Sequence, residues 1–277
     1  MEKQAPQADI TLAILILSWN TADLLADCLR TIPMGAAGIP YHIIVVDNAS
    51  TDGSPDMVAR DFPTVQLIRS DSNLGFAGGN NRGLQAADPT IPYILLLNSD
   101  TLIKPGALTA LVRFMDEHPD AGAVGPRLLR PDGTPQSYAF GGDPTPFYLL
   151  CRGLKQLLFH RYLHDWATDK TLTVDWVSGA CMLVRRAAIE QIGLLDENMF
   201  MYFEDNDWCL RMRRGGWKVY YYPQAEIVHL GGQSLKKNPQ AQQAYYRSLV
   251  YFYARHYGRM SQWSLRYMLP LYRRLNR

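Results

Sequence analysis

Strand-like runs recur through the first hundred residues, and each ends abruptly in polar side chains. They cover residues 10–18, 42–46, 65–69 and 93–97, the first and last being almost wholly apolar. A run that does not alternate fits a strand covered on both faces, the usual state of strands in a parallel sheet. Helix-like segments separate the runs. Residues 21–31 place Leu24, Leu25, Cys28 and Leu29 at helical spacing, residues 54–61 form a shorter segment, and 76–87 is entered through glycines. Pro105 is expected in the first turn of a further helix reaching about His118. Repeated strand–helix units imply an α/β chain with a doubly wound, mainly parallel sheet. Ligands of such sheets bind beyond the carboxyl ends of the strands, which directs attention to the residues after each run.

The rest of the chain is less regular. Residues 133–169 are rich in Pro, Gly and aromatics and read as an excursion over the active site. Strand-like pattern returns at 173–184, followed by 187–192, a helix from about 205 to 214 stopped by Gly215 and Gly216, and a strand at 218–222. With 277 residues, 47% of them hydrophobic, the chain can bury one large domain with an appendage. Cys28, Cys151, Cys181 and Cys209 are widely spaced and form no CxxC pair, as expected of ordinary thiols in a reducing compartment. No apolar run reaches the roughly 18 residues needed to span a bilayer. The run at 10–19 imitates a signal-peptide core, but Asp9 precedes it and no small-residue cleavage site follows. A cytoplasmic location is expected.

Four polar clusters follow the strands. They are Ser18–Trp19–Asn20, then Asp47 through Ser54, then Asn73 through Gly83, and finally Asn98–Ser99–Asp100. Each has a plain structural reading, since Asn, Asp, Ser and Gly dominate turns and helix caps. Together they gather acceptors and carboxylates on one sheet edge. A carboxylate there can accept the ring N–H of a uracil or thymine base. An Asp at the end of a buried strand can hold Mg²⁺ or Mn²⁺ against diphosphate oxygens, which makes the diphosphate a competent leaving group. GxxxxGK[ST] is absent and the glycine cluster does not fit GxGxxG, so ATPase and dinucleotide readings fall away.

These residues resemble the inverting family-2 glycosyltransferases of the GT-A fold, a Rossmann-like doubly wound sheet. The resemblance covers roughly residues 10–232, with the motifs in the family's order. It implies that Asp47 binds the nucleotide base and that Asp100, in Asn98–Ser99–Asp100, is a metal ligand. Asn98 stands where the family usually has the first Asp of Asp-x-Asp. Ser18, Asn20, Asn80, Arg82, Asn98 and Ser99 would complete the nucleotide-sugar site. Trp176 through Cys181 and Phe203 through Trp208 resemble the acceptor-side and catalytic motifs, with Trp176, Gly179 and Trp208 on the acceptor side, although Trp176 and Trp208 read equally as core residues. Their Glu204–Asp205 pair implies Asp205 as general base with Glu204 beside it. His229 resembles a late histidine that often adds a metal ligand. Within the family, the chain resembles the bacterial rhamnosyltransferase-like enzymes of cell-wall and O-antigen synthesis. That resemblance implies a nucleotide-diphosphate sugar donor, dTDP-rhamnose among the options, and a glycan or lipid-linked acceptor. A nucleotidyltransferase would want a basic, glycine-rich triphosphate loop after the first strand, where Ser18–Trp19–Asn20 stands. A non-catalytic carbohydrate-binding protein would leave a nucleotide pocket unexplained.

Charge divides the chain. All 26 acidic residues lie at or before Glu226, whereas nine of the 28 Lys and Arg follow it. A catalytic domain is expected over residues 1–232 and a basic, aromatic, helical tail over 233–277. Residues 240–256 set Tyr245, Leu249, Phe252 and His256 on one stripe, with Tyr246, Val250, Tyr253 and Tyr257 beside it. Trp263, Arg266, Tyr267, Tyr272, Arg273 and Arg274 follow, with an interruption expected at Pro270. Aromatic and basic side chains suit a bilayer interface, so peripheral contact with the inner face of the cytoplasmic membrane is expected. Packing of the helix on the catalytic domain is the alternative. Nucleic acid is not expected, because no binding motif accompanies the charge.

Overall fold

The computed structural model describes residues 10–159, 163–231 and 239–275. The first hundred residues form β1 (Leu12–Ser18), α1 (Ala22–Gly35), β2 (Tyr41–Asp47), α2 (Ser54–Asp61), β3 (Gln66–Arg69), α3 (Gly75–Ala86) and β4 (Tyr93–Asn98). All four strands are parallel, in the order β3-β2-β1-β4. The chain steps outward from β1 to β3, then crosses back to the far side of β1. That reversal opens a crevice between the ends of β1 and β4. Leu12 through Ile16 and Ile94 through Leu97 are buried, which explains why these strands lack alternation. Helix α3 lies close on the sheet because Gly79 has no side chain; a Cβ there would stand 2.3 Å from Leu17 Cδ1.

The second part comprises β5 (Thr101–Ile103), α4 (Ala107–Glu117), β6 (Ala121–Leu129), β7 (Phe140–Gly141), α5 (Pro146–Phe159), β8 (Leu172–Thr173) and β9 (Trp176–Val177). β10 (Cys181–Arg185), α6 (Arg186–Ile192), α7 (Glu204–Arg214), β11 (Lys218–His229), α8 (Pro239–His256) and α9 (Arg259–Leu275) complete it. The sheet continues from β4 through β10, β6 and β11 to β5, with β8 also on β11. β10 runs antiparallel to β4 and β6, β11 is parallel to β6, and β5 is antiparallel to β11. The expected α/β architecture with a mainly parallel sheet and C-terminal helices is present.

Four local expectations are corrected. Pro105 lies before α4 rather than in its first turn, because Gly106 caps the helix at φ 72°. Residues 173–184 are three short strands rather than one, since the segment leaves β11 for β7 before reaching β10. The strand expected to end at Tyr222 continues to His229. Its register on β6 jumps between Tyr222 and Glu226, so residues 223–225 form a bulge that accommodates Pro223, which has no N–H to donate. Helix α9 runs through position 270 rather than breaking there.

Helix α8 lies on the body. Leu249, Phe252 and Tyr253 join Met199, Phe203, Leu210 and Leu265 in a second apolar cluster. Burying each such side chain contributes about 1.5–3 kcal/mol. The expected boundary at residue 232 falls outside the described residues. No described helix is long and apolar enough to cross a membrane.

Candidate active site

The loops after β1 and β2 are fastened together. Asn20, at φ 54°, accepts from the Thr51 amide at 2.7 Å and donates its own amide to Ser50 Oγ at 2.9 Å. Ser18 Oγ meets Thr21 Oγ1 at 3.0 Å, and Thr21 Oγ1 meets Ser99 Oγ at 2.9 Å, so hydroxyls bridge the ends of β1 and β4. Asp47 closes β2. Its Oδ2 accepts from the Ser50 amide at 3.1 Å, while its buried Oδ1 has no partner. A buried acceptor left in that state is costly, and a ring N–H would satisfy it. Asn48 ties the next loop in place, donating to Asn73 Oδ1 and to the Gly75 carbonyl and accepting from the Leu74 amide. Gly75, at φ 73°, must be glycine, because a Cβ would stand 2.3 Å from the Phe200 carbonyl oxygen.

Helix α3 treats its two candidates differently. Arg82 is exposed and reaches Ser70 Oγ at 3.4 Å, and the Ser70 amide donates to the Asp47 carbonyl at 2.9 Å. Asn80 is buried and its Nδ2 donates to the Phe76 carbonyl of its own helix at 2.9 Å. Arg82 therefore stands over the end of β2, whereas the Asn80 amide serves α3.

The end of β4 meets the end of β11. Pairing of His229 with Thr101, and a 2.9 Å hydrogen bond from the Leu230 amide to the Asp100 carbonyl, bring two distant segments together. His229 Nε2 lies 3.2 Å from Asp100 Oδ1 and 3.3 Å from Asn98 Nδ2. Gln136 Oε1 sits 3.0 Å from His229 Nδ1; in the tautomer with its proton on Nδ1, Nε2 presents its lone pair toward Asp100. A lone pair facing a carboxylate oxygen is an arrangement that a cation between them relieves, and a metal-binding His characteristically donates its other nitrogen in this way. The imidazole and carboxylate donor set suits a divalent ion. Among the described residues, no group of three or more His, Cys, Asp or Glu is arranged as a metal site. The protein would supply two ligands, a set consistent with ions that keep waters and substrate phosphates as the rest.

Helix α7 carries the third group. Tyr202 and Phe203, at φ 69° and 68°, hold left-handed conformations immediately before it. Such residues cost on the order of 1–3 kcal/mol each and persist where packing over-determines them. Here the packing comes from α8: Tyr245 lies 5.7 Å from the Tyr202 ring and 5.1 Å from the Phe203 ring, with Phe252 at 5.7 Å from Phe203. Ser248 Oγ also donates to the Met201 carbonyl at 2.8 Å. The strained turn aims Glu204 into the interior and leaves Asp205 half-buried beside it. Glu204 is buried with Oε2 unpartnered, and burial, reinforced by Asp205 and Asp207, pushes its pKa well above the usual range. Burial also raises Asp205, outweighing hydrogen bonds from the Gly179 amide at 3.1 Å and the Asn206 amide at 2.8 Å. The adjoining Ala180 carbonyl accepts from the Asn98 amide at 2.9 Å, so two residues span from Asp205 to the end of β4.

Asp207 is of another kind. Burial alone would raise it, but His256 and Arg211 hold it below the ordinary carboxylate range, at 2.5 Å and 2.7 Å. This ion cluster joins α8 to α7. Trp176 is half-buried and donates to the Gly142 carbonyl at 3.0 Å. Gly179 packs under the Phe76 ring. Trp208, expected on the acceptor side, has no exposed surface and donates to the Gly193 carbonyl at 2.9 Å, so it is a core residue.

Sequence reasoning passed over Gln136, placed His256 only on a helical stripe and Asn81 only within the Asn73–Gly83 cluster. Asn81 accepts from the Leu195 amide and donates to Glu197, anchoring the loop that leads to α7. It adjoins Asn80 in a motif already singled out, so position alone pointed to it. Gln136 sits in the Pro- and Gly-rich middle, where no periodicity marks it.

Comparisons with known proteins identify the family. Residues 6–248 match the family described as Glycosyltransferase like family 2. The chain is 32% identical over 256 residues to an N-acetylglucosaminyl-diphospho-decaprenol L-rhamnosyltransferase of Mycobacterium tuberculosis, covering 84% of this chain and 82% of the relative. It is 39% identical over 223 residues to the rhamnosyltransferase WbbL of Escherichia coli K12, covering 78% and 82%. The solved mannosyltransferase PcManGT of Pyrobaculum calidifontis, in complex with GDP-Man and Mn²⁺, shares the fold at a TM-score of 0.60. Its identity is 20%, over 88% of this chain and 63% of that one. With its motifs lying on one edge of a GT-A sheet and a family match over most of its length, the chain belongs to glycosyltransferase family 2 and is a glycosyltransferase.

Proposed function

We propose that the chain is an inverting, divalent-cation-dependent rhamnosyltransferase. It moves L-rhamnose from dTDP-rhamnose to a hydroxyl of a lipid-diphosphate-linked glycan during cell-surface polysaccharide synthesis. The two rhamnosyltransferase relatives support the sugar. The name of the M. tuberculosis relative supports the acceptor class, which would place the enzyme at the inner face of the cytoplasmic membrane as a peripheral protein. One observation carries the cation reading: His229 Nε2 faces Asp100 Oδ1 at 3.2 Å while its Nδ1 lies 3.0 Å from Gln136 Oε1.

Asp47 Oδ1 would accept the thymine ring N–H, with Arg82 and the Ser18, Asn20 and Ser99 region positioning the rest of the nucleotide. Asp100 and His229 would hold Mg²⁺ or Mn²⁺, which when bound neutralises the departing diphosphate. Asp205 would take the proton of the acceptor hydroxyl as its oxygen bonds to the anomeric carbon from the face opposite the diphosphate. The bond from that carbon to dTDP breaks in the same step, and the electron pair leaves on the diphosphate. The raised pKa of Asp205 suits that base role.

The test is consumption of dTDP-rhamnose, against UDP- and GDP-sugar controls, with Mn²⁺, Mg²⁺ or excess chelator. Asp100→Ala should lower turnover by about two to four orders of magnitude, the range of several kcal/mol of leaving-group stabilisation. Undiminished turnover in chelator would reject the cation, and preference for another donor would reject rhamnose.

A further inference from the structure

Helices α5 and α9 lie against each other, and each leaves an apolar stripe uncovered. On α5 the stripe is Phe147, Leu150, Leu154 and Leu158, three to four residues apart, with Phe147 76% exposed. On α9 it is Met260, Trp263 and Tyr267, with Met260 87% and Trp263 62% exposed. The opposite sides of both helices are anchored, by Leu149 and Leu265 in the second apolar cluster. These stripes are therefore outward faces of fixed helices. Scattered exposed hydrophobic residues need no explanation, but two adjoining stripes of this kind mark an interaction surface.

The charges around the stripes identify the partner. Neither helix contains an Asp or Glu. Arg152 and Lys155 lie on α5, and Arg259 and Arg266 are exposed or half-exposed beside the stripe on α9. Apolar rows whose only charged neighbours on the helix are bases are the composition of helices that lie in a bilayer interface, with rings and aliphatic side chains among the acyl chains and cations at the headgroups. The Leu249, Phe252 and Tyr253 face of helix α8 is not free for that role, because it is buried on the body. We infer that the paired outer faces of α5 and α9 form a docking surface for an anionic lipid bilayer. The proposal goes beyond donor chemistry and does not depend on it; a lipid-linked acceptor only gives the docking a purpose.

Co-sedimentation of the full chain with vesicles of phosphatidylglycerol and phosphatidylcholine, compared with phosphatidylcholine alone, tests it. Binding should favour the anionic vesicles by about tenfold or more and weaken with salt. Phe147→Ser with Leu154→Ser on α5, and Trp263→Ser on α9, should each reduce binding by about fivefold or more. Unchanged thermal unfolding would show that these surface variants remain folded. Arg152→Gln with Arg259→Gln should remove the preference for anionic lipid. Equal binding to both vesicle types would overturn the proposal, as would full binding by either stripe variant. A stable dimer in sedimentation velocity that the stripe variants dissociate would assign the surface to a second copy of the chain instead. The assay uses no sugar donor, so an incorrect rhamnose assignment leaves its outcome readable.

Discussion

The end of β4 and the start of α7 both set carboxylates on the same sheet edge, but the two are built in opposite ways. Asp100 keeps some exposure and faces an imidazole nitrogen, with Asn98 completing the contact. Glu204 and Asp205 are two adjacent acids whose ionisation is opposed by burial, with like charge adding to it at Glu204. The first arrangement sets an imidazole and a carboxylate where both could ligate one cation; the second raises proton affinity. In the proposed mechanism the first would serve the leaving group and the second the attacking hydroxyl. The difference lies in the surroundings, because all three groups are ordinary carboxylates.

The strongest way to break this contrast is Asp205→Asn. Nucleotide affinity should stay near the parental value while turnover falls by about a hundredfold or more. The rise of kcat/KM with pH, set by the Glu204–Asp205 pair above the usual carboxylate range, should disappear with it. Retained turnover would mean that the acceptor-side pair takes no proton.

Gln136→Ala sharpens the other side. Removing the acceptor of the His229 Nδ1 proton frees the ring to rotate or change tautomer, and should weaken Mn²⁺-dependent activity by about ten- to a hundredfold. Isothermal titration with Mn²⁺ in the presence of dTDP would read it. An unaltered affinity would remove Gln136 from the cation side.

The smallest effect is on stability. A carboxyl whose folded-state pKa is raised stabilises the fold while protonated; that contribution is present below the ordinary Glu value and is lost as pH rises through the folded-state value. Glu204→Gln keeps a neutral group of the same shape. It should therefore raise Tm at about pH 8, by about 2–4 °C per kcal/mol of relieved burial cost, and the gain should vanish by about pH 4. A lower Tm at both pH values would show that Glu204 is ionised and paired.

The two halves of the molecule were unequally legible. The strands and helices before residue 100 lie within a few residues of where periodicity places them, because each buries a continuous or helical pattern of its own. Residues 173–184 misled, since their apolar character is shared among three strands with different partners. Pro223 misled as well: it signals a strand end, yet a bulge carries β11 past it to His229. Trp208 carried no mark separating a core ring from one that stacks on a sugar.

By itself, the sequence determined which polar residues stand at the strand ends, and so named Asp47, Asp100 and Asp205 with the family they resemble. Only the tertiary structure decided that His229 meets Asp100 through the pairing of β11 with β5, and that Gln136 orients its ring. It likewise decided that α8 holds the strained turn before Glu204. Hydrophobic periodicity and turn chemistry act over a few residues and leave a local record. Contacts such as Gln136 with His229, 93 positions apart, depend on sheet order and register, which the pattern of a single segment does not encode.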